Sequence, residues 1–449
     1  MKTLEKFPFS HVLVLGLARS GTAAAKLLLA SEIKVRVNDY STNENDQIVT
    51  ELKEMGAEVI VGSHPLSVLD HIELIVKNPG IPYDNIVIEE AQKRNIPIIT
   101  EIELAGQLVS GQVIGITGSN GKTTTTTLVT QMLAQSNQPV KVAGNIGTVA
   151  TEVVQEMRED EKLVLELSSF QLLGVQTFKP NIAVLLNVYE AHLDYHKTIE
   201  NYQQAKFNLF MNQSEEDYLI YNADDHTLAE AIKRAKATLI PFSTTQKLPN
   251  GAWFDESALY FNKEKIINRD EIVLVGEHNL ENILAAISVA KLSGATNEGI
   301  RDVLTTFTGV KHRLQFVKKI QDRLFYNDSK ATNILATQKA LSAFNQPIIL
   351  LAGGLDRGNE FTDLIPYLNH VKAMIVFGQT AEKLAQLGKN AGIEQVVTVD
   401  DIEAAVQKSA IISAAHDVIL LSPACASWDQ YRTFEERGDM FINAVHKLA

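Results

Sequence analysis

Gly115-Ile-Thr-Gly-Ser-Asn-Gly-Lys122-Thr123-Thr124 is the stretch whose reading decides the fold. The apolar residues before and within it (Val113, Ile114, Ile116) read as a buried strand. The glycines let successive backbone N–H groups turn inward, and Thr123 onward (TTTTTLVTQMLA) reads as a helix. A triphosphate at such a helix start meets N–H donors and the positive end of the macrodipole. Lys122 adds a point charge for the outer phosphates, and the Thr123 hydroxyl can ligate Mg²⁺. The strict pattern G-x-x-x-x-G-K-[ST] fails at its first position, which is Ile116. The motif therefore marks a phosphate site, Gly118–Thr124, without naming a reaction.

Working outward, three β–α patterned blocks separate. In the first, His11–Leu15 reads as a strand, Gly16-Leu-Ala-Arg-Ser-Gly21 as a turn, Thr22–Ala30 as a helix and Val35–Asp39 as a second strand ending in an acid. This is a βαβ unit with a candidate diphosphate loop, although Ala18 stands where the dinucleotide fingerprint places its second glycine. A nucleotide and a ligand-free tight turn both remain open there. The central block carries the phosphate loop and strands at 162–167, 182–186, 217–221 and 238–242. β-Hairpins follow over 248–275, then a helix from about Asn279 to Gly294 and a helical stretch at 297–307. The third block alternates strands at 324–326, 348–351, 373–377, 395–399 and 417–421 with helices, a parallel α/β pattern. Domain boundaries are expected near residues 101 and 309, giving 1–101, 102–309 and 310–449.

A chain of 449 residues is too long for one hydrophobic core, so two to four domains are expected. No segment approaches the roughly 18 apolar residues of a membrane helix, and the N-terminus does not read as a signal peptide. The single cysteine, Cys425, excludes an internal disulfide and fits a reducing cytosol. A formal net charge of −13 argues against general affinity for nucleic acid or anionic lipid. An anionic ligand must instead be met by individually placed cations.

Several such groups follow predicted strands, at the edge where open α/β sheets bind ligands. Glu166 ends the strand Leu163-Val-Leu-Glu166 and is placed to hold Mg²⁺; pairing with a surface lysine is its plain alternative. Glu190-Ala-His192-Leu-Asp194-Tyr-His196 gathers two histidines and two acids. Mixed-ligand Mg²⁺ suits it better than zinc, for which no cysteines are at hand. Lys206 by itself reads as a solvated helix lysine. Asn279 reads as an N-cap, and Asn282 as a group able to reach a base. His312-Arg313, Asp328-Ser-Lys330-Ala-Thr332, Gly353-Gly-Leu-Asp-Arg357 and Ser422-Pro-Ala-Cys-Ala-Ser427 also lie on loops after strands or a linker. Cys425 reads as a small packing residue.

Together these segments resemble the Mur ligase family, ATP-dependent amide-forming enzymes of bacterial cell-wall synthesis. The resemblance covers the whole chain. It rests on GSNGKTT (118–124), GNIG (144–147), ELSSFQL (166–172), EAHLDYH (190–196), AKF (205–207), GEHNLEN (276–282), KHR (311–313) and DSKATN (328–333). The compact N-terminal block and LSPACASWDQYRTFEERG (421–438) favour the member that adds D-glutamate, and no Asp-Asn-Pro-Arg motif appears.

The architecture so implied is α/β in three domains. These are a Rossmann-like N-terminal domain, a P-loop-type central ATPase domain with a mostly parallel sheet, and a Rossmann-like C-terminal domain. The resemblance assigns Gly118, Ser119, Asn120, Gly121, Lys122, Thr123 and Thr124 to ATP phosphates. It assigns Thr123, Glu166 and His192 to Mg²⁺, and Asn145 to substrate. Lys206 would be a carbamylated lysine holding a second Mg²⁺. Asn282, Arg313 and Asp328 would contact ATP. Lys330, Thr332, Ser427 and Phe434 would surround D-glutamate or the acyl group, with Arg357 where relatives carry Lys. Arg19, Ser20 and Asp39 would face the uridine diphosphate. Lys122, His192, Lys206 and Lys330 are the implied catalytic set.

The implied partners are ATP, UDP-N-acetylmuramoyl-L-alanine and D-glutamate, with no nucleic acid or membrane. A cytoplasmic monomer serving cell-wall synthesis, cell shape and division is expected. A nucleotide-gated switch without amide chemistry and a nicotinamide-dependent oxidoreductase are the rival readings. The second leaves Gly118–Thr123 unexplained.

Overall fold

The computed structural model describes residues 2–274 and 276–448, excluding the side chains of Glu277 and His278. It is a three-domain α/β protein with three sheets and mostly parallel strands. Its chain forms two compact units, residues 1–271 with 280–305, and residues 272–279 with 306–449. The first unit contains two of the sheets.

The first sheet is formed by β1 (His11–Leu15), β2 (Lys34–Asp39), β3 (Glu58–Val61), β4 (Leu74–Lys77) and β5 (Ile98–Ile99). Its order is β3-β2-β1-β4-β5 and every pair is parallel. Val12, Leu13, Val14 and Leu15 are fully buried. That is the near-continuous apolar reading expected of a strand covered on both faces. The helix after β1 spans Arg19–Ala30, so Arg19 and Ser20 form its first turn and are not part of the preceding loop. Gly16 explains the early start. At φ +95° it lets the chain reverse, and a Cβ there would stand 2.8 Å from Asn78 Cβ.

The second sheet comprises β6 (Val113–Thr117), β7 (Val140–Gly144), β8 (Lys162–Glu166), β9 (Ile182–Leu185), β10 (Tyr218–Asn222), β11 (Thr238–Ser243), β12 (Ala252–Phe254), β13 (Ala258–Phe261) and β14 (Glu264–Asn268). Its order is β14-β13-β12-β11-β10-β9-β6-β8-β7. The last three strands form the expected antiparallel hairpins. β7 was not legible in the sequence. It is an edge strand with an exposed Lys141, so its apolar signal is broken.

The second unit carries β15 (Gln315–Ile320), β16 (Arg323–Asn327), β17 (Ile348–Gly353), β18 (Val371–Phe377), β19 (Gln395–Thr398) and β20 (Val418–Leu421), in the order β15-β16-β20-β17-β18-β19. β15 also escaped the sequence reading. It is half-buried, pairs antiparallel with β16, and is interrupted by Lys318 and Lys319. Buried residues pack both faces of this sheet. Ile348, Leu350 and Met374 belong to one core, and Ile349, Leu351 and Ile375 to the other. Among the described residues no helix is long and apolar enough to cross a membrane.

Candidate active site

The glycine-rich loop leaves β6 and enters the helix Lys122–Gln135 through Gly121, which takes the left-handed conformation at φ 83°. Neither this helix nor Arg19–Ala30 has a side-chain N-cap, whereas Asp46, Asn85 and Asn333 cap theirs. Both Gly-rich turns therefore leave the helix start open to an anion. The loop is held from the segment that follows the neighbouring strand β9. Ser119 N–H donates to the Asn187 carbonyl (2.9 Å), and Asn120 N–H donates to Asn187 Oδ1 (2.9 Å). The Ser119 hydroxyl also lies 2.9 Å from Tyr202 Oη.

Lys122 folds back over the loop, donating to the carbonyls of Gly118 (2.8 Å) and Ser119 (3.2 Å). Lys206 Nζ donates to the same Gly118 carbonyl (2.9 Å) and lies over the Tyr202 ring. The solvated-lysine reading of Lys206 is therefore wrong: its side chain is 1% exposed. Helical periodicity leaves the facing of one lysine open, and here tertiary packing turns it inward. Burial, reinforced by the nearby Lys122 charge, holds its pKa well below the usual lysine range.

Glu166 ends β8, whose register pairs it with Ile116 of β6. The side chain is buried. Oε1 accepts from Asn145 Nδ2 (2.8 Å), while the buried Oε2 has no hydrogen-bond partner. A buried carboxylate oxygen left bare costs free energy unless something else occupies it. It rules out the surface-pairing alternative and fits a hard cation that takes oxygen ligands.

His192 follows β9 in the left-handed region (φ 55°) and is exposed. Partial desolvation of its ring lowers its pKa, and Lys206 and Lys122 push the same way against Asp194. The two histidines of the segment thus divide. His196 is buried, bonds the Ser169 hydroxyl (2.9 Å) and stacks on Phe170, which is a packing role. Among the described residues no three His, Cys, Asp or Glu side chains form a cluster able to hold a metal.

Asn282 is turned into the protein, not out to solvent. It is buried against the loop, and a Cβ on Gly121 would come within 2.1 Å of its Oδ1. Asn279 is likewise no N-cap, because the helix begins two residues earlier, at Glu277.

In the first sheet, Asp39 accepts from the N–H groups of Leu17 (2.7 Å), Ser41 and Thr42 (both 2.8 Å). Burial alone would raise its pKa, but these donors hold the carboxyl below its usual range. Its principal contacts therefore brace the loop. Arg19 is exposed, and Ser20 Oγ accepts from Asn78 Nδ2 (3.1 Å).

In the second unit, Asp328 and Ser422 directly follow β16 and β20, and Gly353 ends the adjacent β17. Asp328 Oδ2 accepts from the Ser422 hydroxyl (2.9 Å) and Oδ1 from Leu314 N–H (3.2 Å). Arg437, fully buried and unread in the sequence, ties these loops. It donates to Ser329 Oγ and to the carbonyls of Ser329, Gly353 and Cys425. Its only sequence signal is an arginine on an otherwise apolar helix face. Ser427 is buried, and its hydroxyl has no partner. Lys330 Nζ lies 5.3 Å from the Phe434 ring centroid, and Thr332 follows on the same loop. Arg357 is exposed over Trp428, at 4.9 Å. Cys425 is buried beside Thr380, and burial pushes its thiol up, as a packing residue requires.

Burial raises the Asp328 carboxyl to about 7. Because the folded value exceeds the unfolded one, this group removes stability as pH rises from about 4 to about 7. Asp328→Asn should therefore raise the melting temperature by a few degrees at pH 8 and by less near pH 4.5. Thermal scans at the two pH values check this, and equal shifts would refute it.

The chain is similar to three described family domains. "Mur ligase MurD-like, N-terminal domain" matches residues 10–100, "Mur ligase middle domain" 116–290, and "Mur ligase, glutamate ligase domain" 312–425. It is 61% identical over 448 residues to the UDP-N-acetylmuramoylalanine–D-glutamate ligase of Oceanobacillus iheyensis, covering 100% of both chains. It is 57% identical to the enzyme of that name from Bacillus subtilis, covering 98% of each. In fold it is similar to the crystal structure of UDP-N-acetylmuramate-alanine ligase MurC from Thermotoga maritima. The TM-score is 0.58 at 16% identity, covering 98% of this chain and 100% of that one.

Proposed function

The chain belongs to the Mur ligase family, and from that premise we propose that it is the ATP-dependent ligase that joins D-glutamate to UDP-N-acetylmuramoyl-L-alanine. The observation that carries this reading is the buried Glu166 carboxylate, one oxygen bare, on the strand beside a phosphate loop gripped by Lys122 and Lys206.

The reaction has two steps. The alanyl carboxylate attacks the γ-phosphorus of ATP, forming an acyl phosphate as the bond to ADP breaks. The amine of D-glutamate then attacks the acyl carbon, and the tetrahedral intermediate collapses to amide and phosphate with loss of a proton. Both partners of the first step are anions, so the protein's main task is to place positive charge and N–H donors around them. Gly118–Thr124 cradles the phosphates, and Lys122 follows the outer ones. Thr123, Glu166 and His192 would hold Mg²⁺, with Asn145 orienting Glu166. Bound there, Mg²⁺ screens the phosphate charge.

Lys206 takes up CO₂ as a neutral amine and releases a proton, becoming a carbamate. An ammonium at Lys206 would face the Lys122 ammonium across one shared carbonyl, which favours the neutral amine. The negative carbamate would attract the Lys122 ammonium, and its oxygens would be available to a second Mg²⁺. Asn282, Arg313 and Asp328 serve ATP. Lys330, Thr332, Arg357, Ser427 and Phe434 serve D-glutamate and the acyl group, and Arg19, Ser20 and Asp39 serve the uridine diphosphate. The corresponding domains are 1–101, 102–309 and 310–449. The setting is a cytoplasmic monomer supplying peptidoglycan precursor, hence cell shape and division.

An acceptor screen with phosphate detection tests the proposal. Phosphate release should require ATP, UDP-N-acetylmuramoyl-L-alanine and D-glutamate together. Turnover with L-alanine, L-lysine or diaminopimelate in place of D-glutamate would change the member. Nucleotide binding with no acceptor-dependent turnover would favour a switch.

A further inference from the structure

Lys77, the last residue of β4, is 1% exposed and is among the largest fully buried side chains. Its Nζ donates to the carbonyls of Asn78 (3.1 Å), Pro79 (3.2 Å) and Ile81 (2.7 Å) and to Tyr195 Oη (3.0 Å). Tyr195 Oη lies 2.8 Å from the Ile81 carbonyl and 3.1 Å from that of Pro79, completing a closed set. The rings of Tyr83 and Tyr195 flank the ammonium, at 5.0 and 5.8 Å. Burial pulls its pKa down to about 7. A cation placed here is costly, and an apolar side chain would be cheaper unless the bonds serve a purpose.

Those bonds join two loops of the first unit. On one side is the turn Asn78–Pro82. Asn78 packs under Gly16 and donates to Ser20, so it supports the first-sheet turn assigned above to uridine diphosphate. On the other side is the short helix Leu193–His196, which carries Tyr195. The Tyr195 ring packs edge-on to Phe170 (4.6 Å), and Phe170 packs against His192 (5.0 Å). Direct contacts thus run without a break from Gly16 and Ser20 through Asn78, Lys77, Tyr195 and Phe170 to His192.

We propose that Lys77 is a positioning residue that clamps the His192 segment to the Asn78–Pro82 turn, coupling the seating of the nucleotide-sugar substrate to that of the divalent cation. This rests on the functional reading above, since it takes His192 as a cation ligand. The coupling is a binding free energy and is therefore reciprocal.

The test is Mn²⁺ binding to the full chain with ADP, followed by electron paramagnetic resonance, with and without UDP-N-acetylmuramoyl-L-alanine. In the unsubstituted protein the substrate should tighten Mn²⁺ by roughly fivefold or more. In Tyr195→Phe, which keeps the ring and removes only the hydroxyl, the ratio should fall to about one, and Lys77→Met should match it. The KM for UDP-N-acetylmuramoyl-L-alanine should rise in both variants while that for D-glutamate stays unchanged. If Lys77→Met does not fold, Tyr195→Phe decides. An unchanged Mn²⁺ ratio in folded variants, or all KM values shifting together with a lowered melting temperature, overturns the proposal. If the unsubstituted chain fails to turn over all three substrates, the functional reading fails and the clamp with it. Turnover with no Mn²⁺ coupling sinks the clamp alone.

Discussion

Lys122→Ala should lower ATP-dependent phosphate release by about 10³-fold, the upper end of the effect seen when one preorganised charge-stabilising donor is lost. Two losses combine. The ammonium bridges the carbonyls of Gly118 and Ser119, so its removal loosens the loop itself. It is also the one cation on the loop between Gly118 and Thr124, and the first step brings a carboxylate against a phosphate. The helix N-terminus and backbone N–H groups remain, so nucleotide binding should weaken less than turnover. Comparing the nucleotide dissociation constant with single-turnover phosphate release separates the two effects. Full activity in the variant would take the loop out of the mechanism.

Lys206→Ala is the second large effect, with an expected fall of roughly 10²–10³-fold. Lys206 is buried, its pKa is held down first by burial and then by Lys122, and its nearest acceptor is a carbonyl that Lys122 already uses. A neutral, enclosed amine is the form that adds CO₂. If its working form is the carbamate, short-chain carboxylates or bicarbonate should partly restore the alanine variant by supplying oxygens in the space left. Intact-protein mass spectra of the unsubstituted chain should show one added CO₂ that acid removes. Failure of every carboxylate to rescue, together with an unmodified mass, would leave Lys206 as a support for the Gly118 carbonyl and nothing more.

Much of the central site was legible because its chemistry is local. The loop 118–124, its strand and its helix are consecutive, so the order of apolar run, glycines, lysine and threonine already specifies a phosphate cradle. The place of Glu166 at the end of its strand is legible for a related reason: a carboxylate closing an apolar strand has few places to go except the edge of a sheet. The residues that resisted are those whose role depends on what faces them. Lys206 looks like any helix lysine until Gly118 and Tyr202 close over it. Asn282 carries no sign in the sequence that it fills the space Gly121 leaves open. Asp39 gives no sign in the sequence that its principal partners are three backbone N–H groups of its own loops. Arg437 and Lys77, both nearly inaccessible, carry no local signal of the loops they tie.

The amino-acid order by itself determined the α/β class, the three sheets and the phosphate loop. Strand periodicity, buried apolar runs and glycine-bearing turns act between neighbours in the chain, and neighbours are what a sequence displays. Only the tertiary structure decided which charges are enclosed, which of two histidines packs and which stays accessible, and which carboxylate oxygen lacks a partner. Burial and hydrogen-bond satisfaction depend on groups tens to hundreds of residues away, as Lys77 and Tyr195 do on each other.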